Sequence, residues 1–340
     1  MTPPVARLTV AVTRMVPEAG LELLRSSPEI TDLRIWPEEL PPTPDQLAEL
    51  LQGCDGVVTL LSDRVDSETL DREPQLRVVA NYAVGYDNID VSAATERGVA
   101  VCNTPDALTH ATADLAFALL MASARRLVEA ADYVRAGQWR TWGPQLLLGQ
   151  EFHGRTLGII GPGRIGTEVA RRGTGFGMRL LGWSRSGRLS DEAKSIGMTA
   201  VDLDDLLTRS DFVSIHVPLG DETRHLIGAR ELGLMKPTAI LVNTARGPVV
   251  DQVALVQALA AGTIAGAGLD VTDPEPLAAD HPLVREPRAI VVPHIGSATV
   301  AARDEMARMA AGAVLAVLRG ERPSNQVNGE AVWLGVRPSR

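Results

Sequence analysis

Leu157-Gly158-Ile159-Ile160-Gly161-Pro162-Gly163-Arg164-Ile165-Gly166 is the stretch that decides the fold. Leu157–Ile160 reads as a buried strand. The chain then meets a GxGxxG pattern and continues into a helical segment, Ile165–Arg172. Alone, three glycines at this spacing are weak evidence, because they also arise by chance. A strand running in and a helix running out supply the context that a dinucleotide-binding turn requires. Gly161 then permits the tight turn, Gly163 lets the backbone approach a pyrophosphate, and Gly166 lets the helix pack close on the strand. Arg164 and Ile165 open the helix, whose free N–H groups and dipole favour an anion.

The next expected strand, Arg179–Trp183, ends in Trp183-Ser184-Arg185-Ser186. A carboxylate there would bind a ribose 2′-hydroxyl, and none is present. Ser184 and Arg185 can instead hold a 2′-phosphate through hydroxyl and guanidinium contacts. NADP(H) is therefore expected as the preferred cofactor, with NAD(H) possible if Arg185 only stacks on the adenine.

Outward from the glycine turn, alternating apolar runs and helical stretches extend in both directions. Downstream strands are predicted over 212–217, 239–244, 267–271 and 290–293, which makes a doubly wound parallel sheet. Upstream, Leu8–Val12 and 56–61, 76–81 and 99–103 read as strands, with helices over 18–26, 43–51 and 91–97. A long amphipathic helix is expected over 109–125, with Leu115, Leu119 and Ala122 on its apolar face. A shorter helix is expected over 130–137, and an alanine-rich one over 299–319. Trp139–Gly149 shows no period.

Three residues that carry chemistry follow predicted strand ends. Arg246 follows 240–244, Glu275 lies just past 269–271, and His294 follows 290–293. Ligands in such sheets bind outside the carboxyl ends of the strands. Singly, each residue has a bland reading: a solvated loop glutamate, an arginine paired with an acid, a structural histidine. Together, downstream of a dinucleotide turn, they match the needs of carbonyl reduction. His294 can donate a proton near neutral pH, Glu275 can hold and charge that imidazole, and Arg246 can polarise a carbonyl oxygen and grip a carboxylate. His216 ends the 212–217 strand on the cofactor side. His110, His153, His225 and His281 read as surface or helix-end residues.

The bulk properties narrow the class. With 340 residues, two domains are the default. A net charge of −9 disfavours nucleic acid and anionic membrane as partners. Cys54 and Cys102 suit two reduced thiols better than a disulfide framework or a metal site, and no His/Cys/Asp/Glu cluster has metal-ligand spacing. No metal is expected. No apolar run is long enough to span a bilayer, and the opening residues lack a leader pattern, so a cytoplasmic location is expected.

With these residues in hand, the chain resembles the D-isomer-specific 2-hydroxyacid dehydrogenases over nearly its whole length. The likeness rests on Leu157–Gly166, His216-Val217-Pro218-Leu219, Val242-Asn243-Thr244-Ala245-Arg246-Gly247, Gly268-Leu269-Asp270-Val271, Glu275-Pro276 and Pro293-His294-Ile295-Gly296-Ser297-Ala298-Thr299. It implies Arg246, Glu275 and His294 as catalytic residues, in agreement with the reading above. It implies Val84 and Gly85, in Asn81-Tyr82-Ala83-Val84-Gly85-Tyr86-Asp87, as backbone donors to the substrate carboxylate. Leu60 and Leu61 would line the substrate pocket, Ser297 would touch substrate, and Trp142 would close the pocket of a neighbouring subunit in a homodimer. His216, Val217, Pro218, Thr244, Ala245, Asp270 and Gly296 would contact the cofactor, Asp270 at the nicotinamide carboxamide.

The resemblance also implies a Rossmann dinucleotide domain, residues 104–297, inserted into a flavodoxin-like substrate domain, residues 1–103 plus 298–340, with the cleft between them. Many family members carry an aspartate where this chain has Ser184, which points to the glyoxylate/hydroxypyruvate reductases. Two other readings stay open: a dehydrogenase of another 2-hydroxy acid or of phosphite on the same scaffold, and a dinucleotide-sensing regulator, which would be expected to carry long interaction tails.

Overall fold

Each strand of the first unit is short and fully or half-buried, and each is parallel to its neighbours. β1 (Leu8–Val12), β2 (Ile30–Ile35), β3 (Gly56–Thr59), β4 (Val78–Asn81) and β5 (Ala100–Cys102) stand in the order β2-β1-β3-β4-β5. That is the flavodoxin-like order of a doubly wound sheet. The computed structural model describes residues 7–329 and Val332. The first unit runs to Leu108 and resumes at Ala298. Its later segment supplies the helix Val300–Leu318, whose Ala310, Ala311, Val314 and Leu318 pack into the same core as Val10, Val12, Val58 and Val78. Residues 103 and 104 are tied to this unit by hydrogen bonds from Asn103 N to Asn325 O and from Thr104 N to Ala83 O.

The second unit spans Thr109–Ser297. β6 (Thr156–Ile160), β7 (Arg179–Trp183), β8 (Thr199–Ala200), β9 (Phe212–Ile215), β10 (Ile240–Asn243), β11 (Gly266–Leu269) and β12 (Ala289–Val291) form one parallel sheet, ordered β12-β11-β10-β9-β6-β7-β8. The chain winds outward from β6 to β8, then returns to β9 and winds the other way. The order therefore reverses between β6 and β9, where ligands of such sheets bind.

Most predicted elements form, with trimmed ends. Thr43 and Asp90 are N-caps whose side chains accept from Gln46 N and Ala93 N, so the first helix begins at Pro44, one residue later than expected, and the second begins at Val91 as expected. β2 was not predicted. Its Ile30-Thr31-Asp32-Leu33-Arg34-Ile35 stretch mixes charge with apolar residues because it is an edge strand, only half-buried. The helix Thr109–Ala124 is less amphipathic than expected. Leu119 is buried, but Leu115 and Ala122 are only half-buried, and the core face is Ala113, Ala116, Phe117, Leu120 and Ala124. This helix lies against β10, β11 and the helix Arg164–Gly175, so much of its circumference is covered. Trp139–Gly149 forms turns and no regular element.

Candidate active site

The glycine turn is built as its residues require. Gly161 has φ +87°, in the left-handed region that costs glycine little, and a Cβ there would lie 2.7 Å from Val217 Cγ1. The turn after β6 thus packs directly on the segment after β9, where His216 N donates to Ile160 O at 2.7 Å. Gly166 faces the strand, and its Cβ would meet Gly161 O at 2.5 Å and Ile159 Cγ2 at 2.9 Å. Gly163 has open space on its Cβ side. The three glycines therefore separate into turn, open approach and close packing. Arg164 and Ile165 begin the helix directly after Gly163.

At the end of β7, the Ser184 hydroxyl donates to Arg188 O at 2.7 Å. The Arg185 guanidinium, largely exposed, pairs with Glu222. Desolvation pushes His216 down to about 3, so its ring is neutral over the physiological range, and Ser214 Oγ lies 2.8 Å from His216 Nε2.

Three strand ends assemble the remaining groups. After β10, the Asn243 side chain holds the turn, donating to Arg246 O at 2.8 Å and accepting from Ala245 N at 3.0 Å. Thr244 Oγ1 is buried with no hydrogen-bond partner in the protein. After β11, Asp270 is buried, and its two carboxylate oxygens accept from Ile295 N at 2.6 Å and Gly296 N at 2.8 Å. Burial pushes its carboxyl above the usual range, against the opposing pull of those N–H groups and of His294. After β12, His294 has φ +50°, a conformation that a non-glycine residue rarely adopts. Its N–H lies 3.0 Å from both Asp270 O and Val292 O, so β11 and β12 together fix it. Such outliers collect at functional sites, where surrounding contacts over-determine them.

His294 Nδ1 lies 2.9 Å from Glu275 Oε2. The other oxygen, Glu275 Oε1, accepts from Thr272 N at 3.0 Å. Burial alone would raise the Glu275 carboxyl. The His294 hydrogen bond and charge, the Thr272 N–H and the nearby Arg246 charge outweigh it and hold the group below the usual carboxylate range. Gly247 explains how Arg246 and this turn come together: a Cβ there would overlap the Thr272 carbonyl, so only glycine lets the two backbones touch. The sheet therefore brings Arg246, Glu275 and His294 into one neighbourhood, with Asp270 bracing the histidine loop.

The other expected residues lie as follows. Val217, Pro218, Ala245 and Gly296 sit on the same strand-end loops of the second unit. Ser297 is its last residue and Trp142 is 79% exposed. In the first unit, Val84 O accepts from Asn103 Nδ2 at 2.7 Å and Gly85 O from Asn81 Nδ2 at 2.8 Å, which fixes the loop after β4. Leu61 is 40% exposed on the loop after β3, where Leu60 N donates to the buried Asp63 carboxylate at 2.7 Å. Cys54 and Cys102 are free and buried, and desolvation raises their thiols to about 11 and about 12. Among the described residues, no group of three or more His, Cys, Asp or Glu could hold a metal, and no helix is long and apolar enough to cross a membrane.

The residues present suit a nicotinamide dinucleotide. The positive-φ turn, the open face of Gly163 and the unpartnered Thr244 hydroxyl all lie at the topological switch or the strand ends. Comparison with known proteins agrees. The family profile described as D-isomer specific 2-hydroxyacid dehydrogenase, NAD binding domain, matches residues 117–296. A glyoxylate reductase of Korarchaeum cryptofilum is 52% identical over 97% of this chain and 98% of its own length. A Thermus thermophilus protein of known structure superposes with a TM-score of 0.88 at 45% identity, covering 94% of this chain and 100% of that one. A Sinorhizobium meliloti NADPH-dependent glyoxylate/hydroxypyruvate reductase, solved with NADP and malonate, superposes with a TM-score of 0.82 at 30% identity, covering 98% of this chain and 100% of its own. The chain belongs to the D-isomer-specific 2-hydroxyacid dehydrogenase family. It is an NAD(P)-dependent oxidoreductase built from two parallel-sheet α/β domains.

Proposed function

We propose that this enzyme reduces a small 2-keto acid, glyoxylate or hydroxypyruvate, with NADPH, through Arg246, Glu275 and His294. The observation that carries the reading is the 2.9 Å contact between His294 Nδ1 and Glu275, on a histidine held at φ +50° by two strand ends. The glyoxylate reductase of K. cryptofilum, half identical over almost the whole chain, supports the choice of acid. The absence of a carboxylate at Ser184-Arg185 supports NADPH over NADH.

When bound, the reduced nicotinamide supplies the hydride that the carbonyl carbon receives. Glu275, kept ionised, accepts from His294 Nδ1 and leaves the Nε2 proton to be given to the carbonyl oxygen, which completes the 2-hydroxy acid. Arg246 stabilises the negative charge that develops on that oxygen. His216, held neutral by desolvation, is assigned to the cofactor side rather than to proton donation. Gly161, Gly163, Arg164, Ile165, Gly166, Ser184, Arg185, His216, Val217, Pro218, Thr244, Ala245, Asp270 and Gly296 are assigned to the cofactor. Val84, Gly85, Leu61 and Ser297 are assigned to substrate. Trp142, exposed like Trp139 and Leu148 on the same irregular segment, is assigned to a homodimer contact that reaches the neighbouring substrate site. The enzyme is placed in the cytoplasm, where NADPH favours reduction.

The test is oxidation of NADPH and of NADH, followed separately with glyoxylate, hydroxypyruvate, pyruvate and larger 2-keto acids. Fast NADPH oxidation with the two small acids is expected. Turnover with NADH alone would overturn the cofactor assignment, and no turnover with any pair would overturn the activity.

A further inference from the structure

The turn that carries Glu275 is held by a side chain that no motif in the sequence marks. Gln252 is the first residue of the helix Gln252–Ala261, where the capping is already done by Asp251, which accepts from Val253 N and Ala254 N. The Gln252 amide is left for another task. Its Nε2 donates to Asp273 O at 2.7 Å, and its Oε1 accepts from Asp273 N at 3.0 Å. One side chain thereby pairs both backbone groups of one residue, as a neighbouring strand would. The His281 ring lies 3.4 Å from the same amide nitrogen.

Asp273 is two residues before Glu275. Around them the turn is closed by Thr272 Oγ1 donating to Pro274 O at 2.8 Å and by Thr272 N donating to Glu275 Oε1. Arg246 and Gln252 stand at the two ends of the segment 246–252, which also contains Gly247, pressed against the Thr272 carbonyl. The segment is therefore joined to the Glu275 turn at two points, by close packing at Gly247 and by the paired hydrogen bonds of Gln252.

We infer that Gln252 is a positioning residue for the reaction: its two bonds to Asp273 hold Glu275 at the distance from which it orients His294, in register with Arg246. This rests on the assignment of Glu275 and His294 proposed above. Supports of this kind matter because displacement of a reacting group by about 1 Å can cost on the order of a hundredfold in rate.

The experiment measures kcat and KM for NADPH and glyoxylate in Gln252→Ala, Gln252→Glu, Glu275→Gln and the double variant Gln252→Ala/Glu275→Gln, with thermal melting of each. Gln252→Ala is expected to lose about ten- to hundredfold in kcat, with KM for NADPH little changed. Gln252→Glu, which keeps the acceptor for Asp273 N but sets a carboxylate oxygen against Asp273 O, is expected to lose at least as much as Gln252→Ala. The double variant is expected to turn over no more slowly than Glu275→Gln alone, because Gln252 acts through Glu275. Losses that multiply in the double variant would show a merely structural role and overturn the inference. So would normal turnover in Gln252→Ala beside an impaired Glu275→Gln. Normal turnover in Glu275→Gln would instead remove the reading of the site, and the positioning role with it.

Discussion

Replacing Gly247 with alanine tests the geometry at its tightest point. Gly247 follows Arg246 directly, and a Cβ there would overlap the Thr272 carbonyl and lie 2.8 Å from Thr272 Cα, where 3.4 Å is ordinary contact. Both partners are backbone and neither can rotate away. The two segments must part by about 1 Å or more to restore normal contact. One of them carries the Arg246 guanidinium. The other carries the Thr272 N–H that holds Glu275 Oε1. Overpacking of this kind costs about 1–3 kcal/mol of stability, which in a unit of this size lowers Tm by roughly 2–10 °C. The cost to catalysis should be larger in proportion, because a shift of about 1 Å between Arg246 and Glu275 lowers kcat on the order of a hundredfold. The assay is steady-state glyoxylate reduction, with NADPH binding followed by fluorescence and folding by thermal melting. The expected variant is folded at room temperature, binds NADPH and turns over slowly. A Gly247→Ala enzyme with turnover within about threefold of the parent would refute the claim that this contact sets the site.

Arg246→Ala is expected to fold and bind dinucleotide while losing about 10²–10³ in kcat, as loss of an oxyanion donor does elsewhere, and unchanged turnover would remove Arg246 from the mechanism. The pair Ser184→Asp with Arg185→Gln is expected to shift the NADPH:NADH ratio of kcat/KM toward NADH by at least about tenfold, since a cation is lost and a like charge is set against the 2′-phosphate. An unchanged ratio would show that neither side chain reads that phosphate.

The sequence displayed what is local and concealed what is long-range. The glycine turn was legible because strand, GxGxxG and helix are contiguous over 157–172, and the conformations of Gly161, Gly163 and Gly166 follow from that pattern. Arg246, Glu275 and His294 could be picked out as candidates because parallel βα units place every strand end on one edge of the sheet. β2 was missed because half-buried edge strands lack a clean apolar pattern, and β8 because two exposed residues leave none. The bracing groups were not legible in the same way. Asp270, read as a cofactor contact from the family resemblance, also accepts from Ile295 N and Gly296 N, a bracing role that the resemblance does not name. Gln252 meets Asp273 across an intervening helix and strand, and Arg185 meets Glu222 from a different strand end. The left-handed backbone of His294 has no sequence signal, because it is imposed by Asp270 and Val292 rather than by histidine itself.

The proposed mechanism stands or falls on His294 delivering the proton. Its most direct test is kcat for glyoxylate reduction by His294→Ala, measured with saturating NADPH beside the Kd for that cofactor. A loss of about 10²–10⁴ in kcat with Kd nearly unchanged is expected. A His294→Ala enzyme that reduces glyoxylate at close to the parent rate would contradict it.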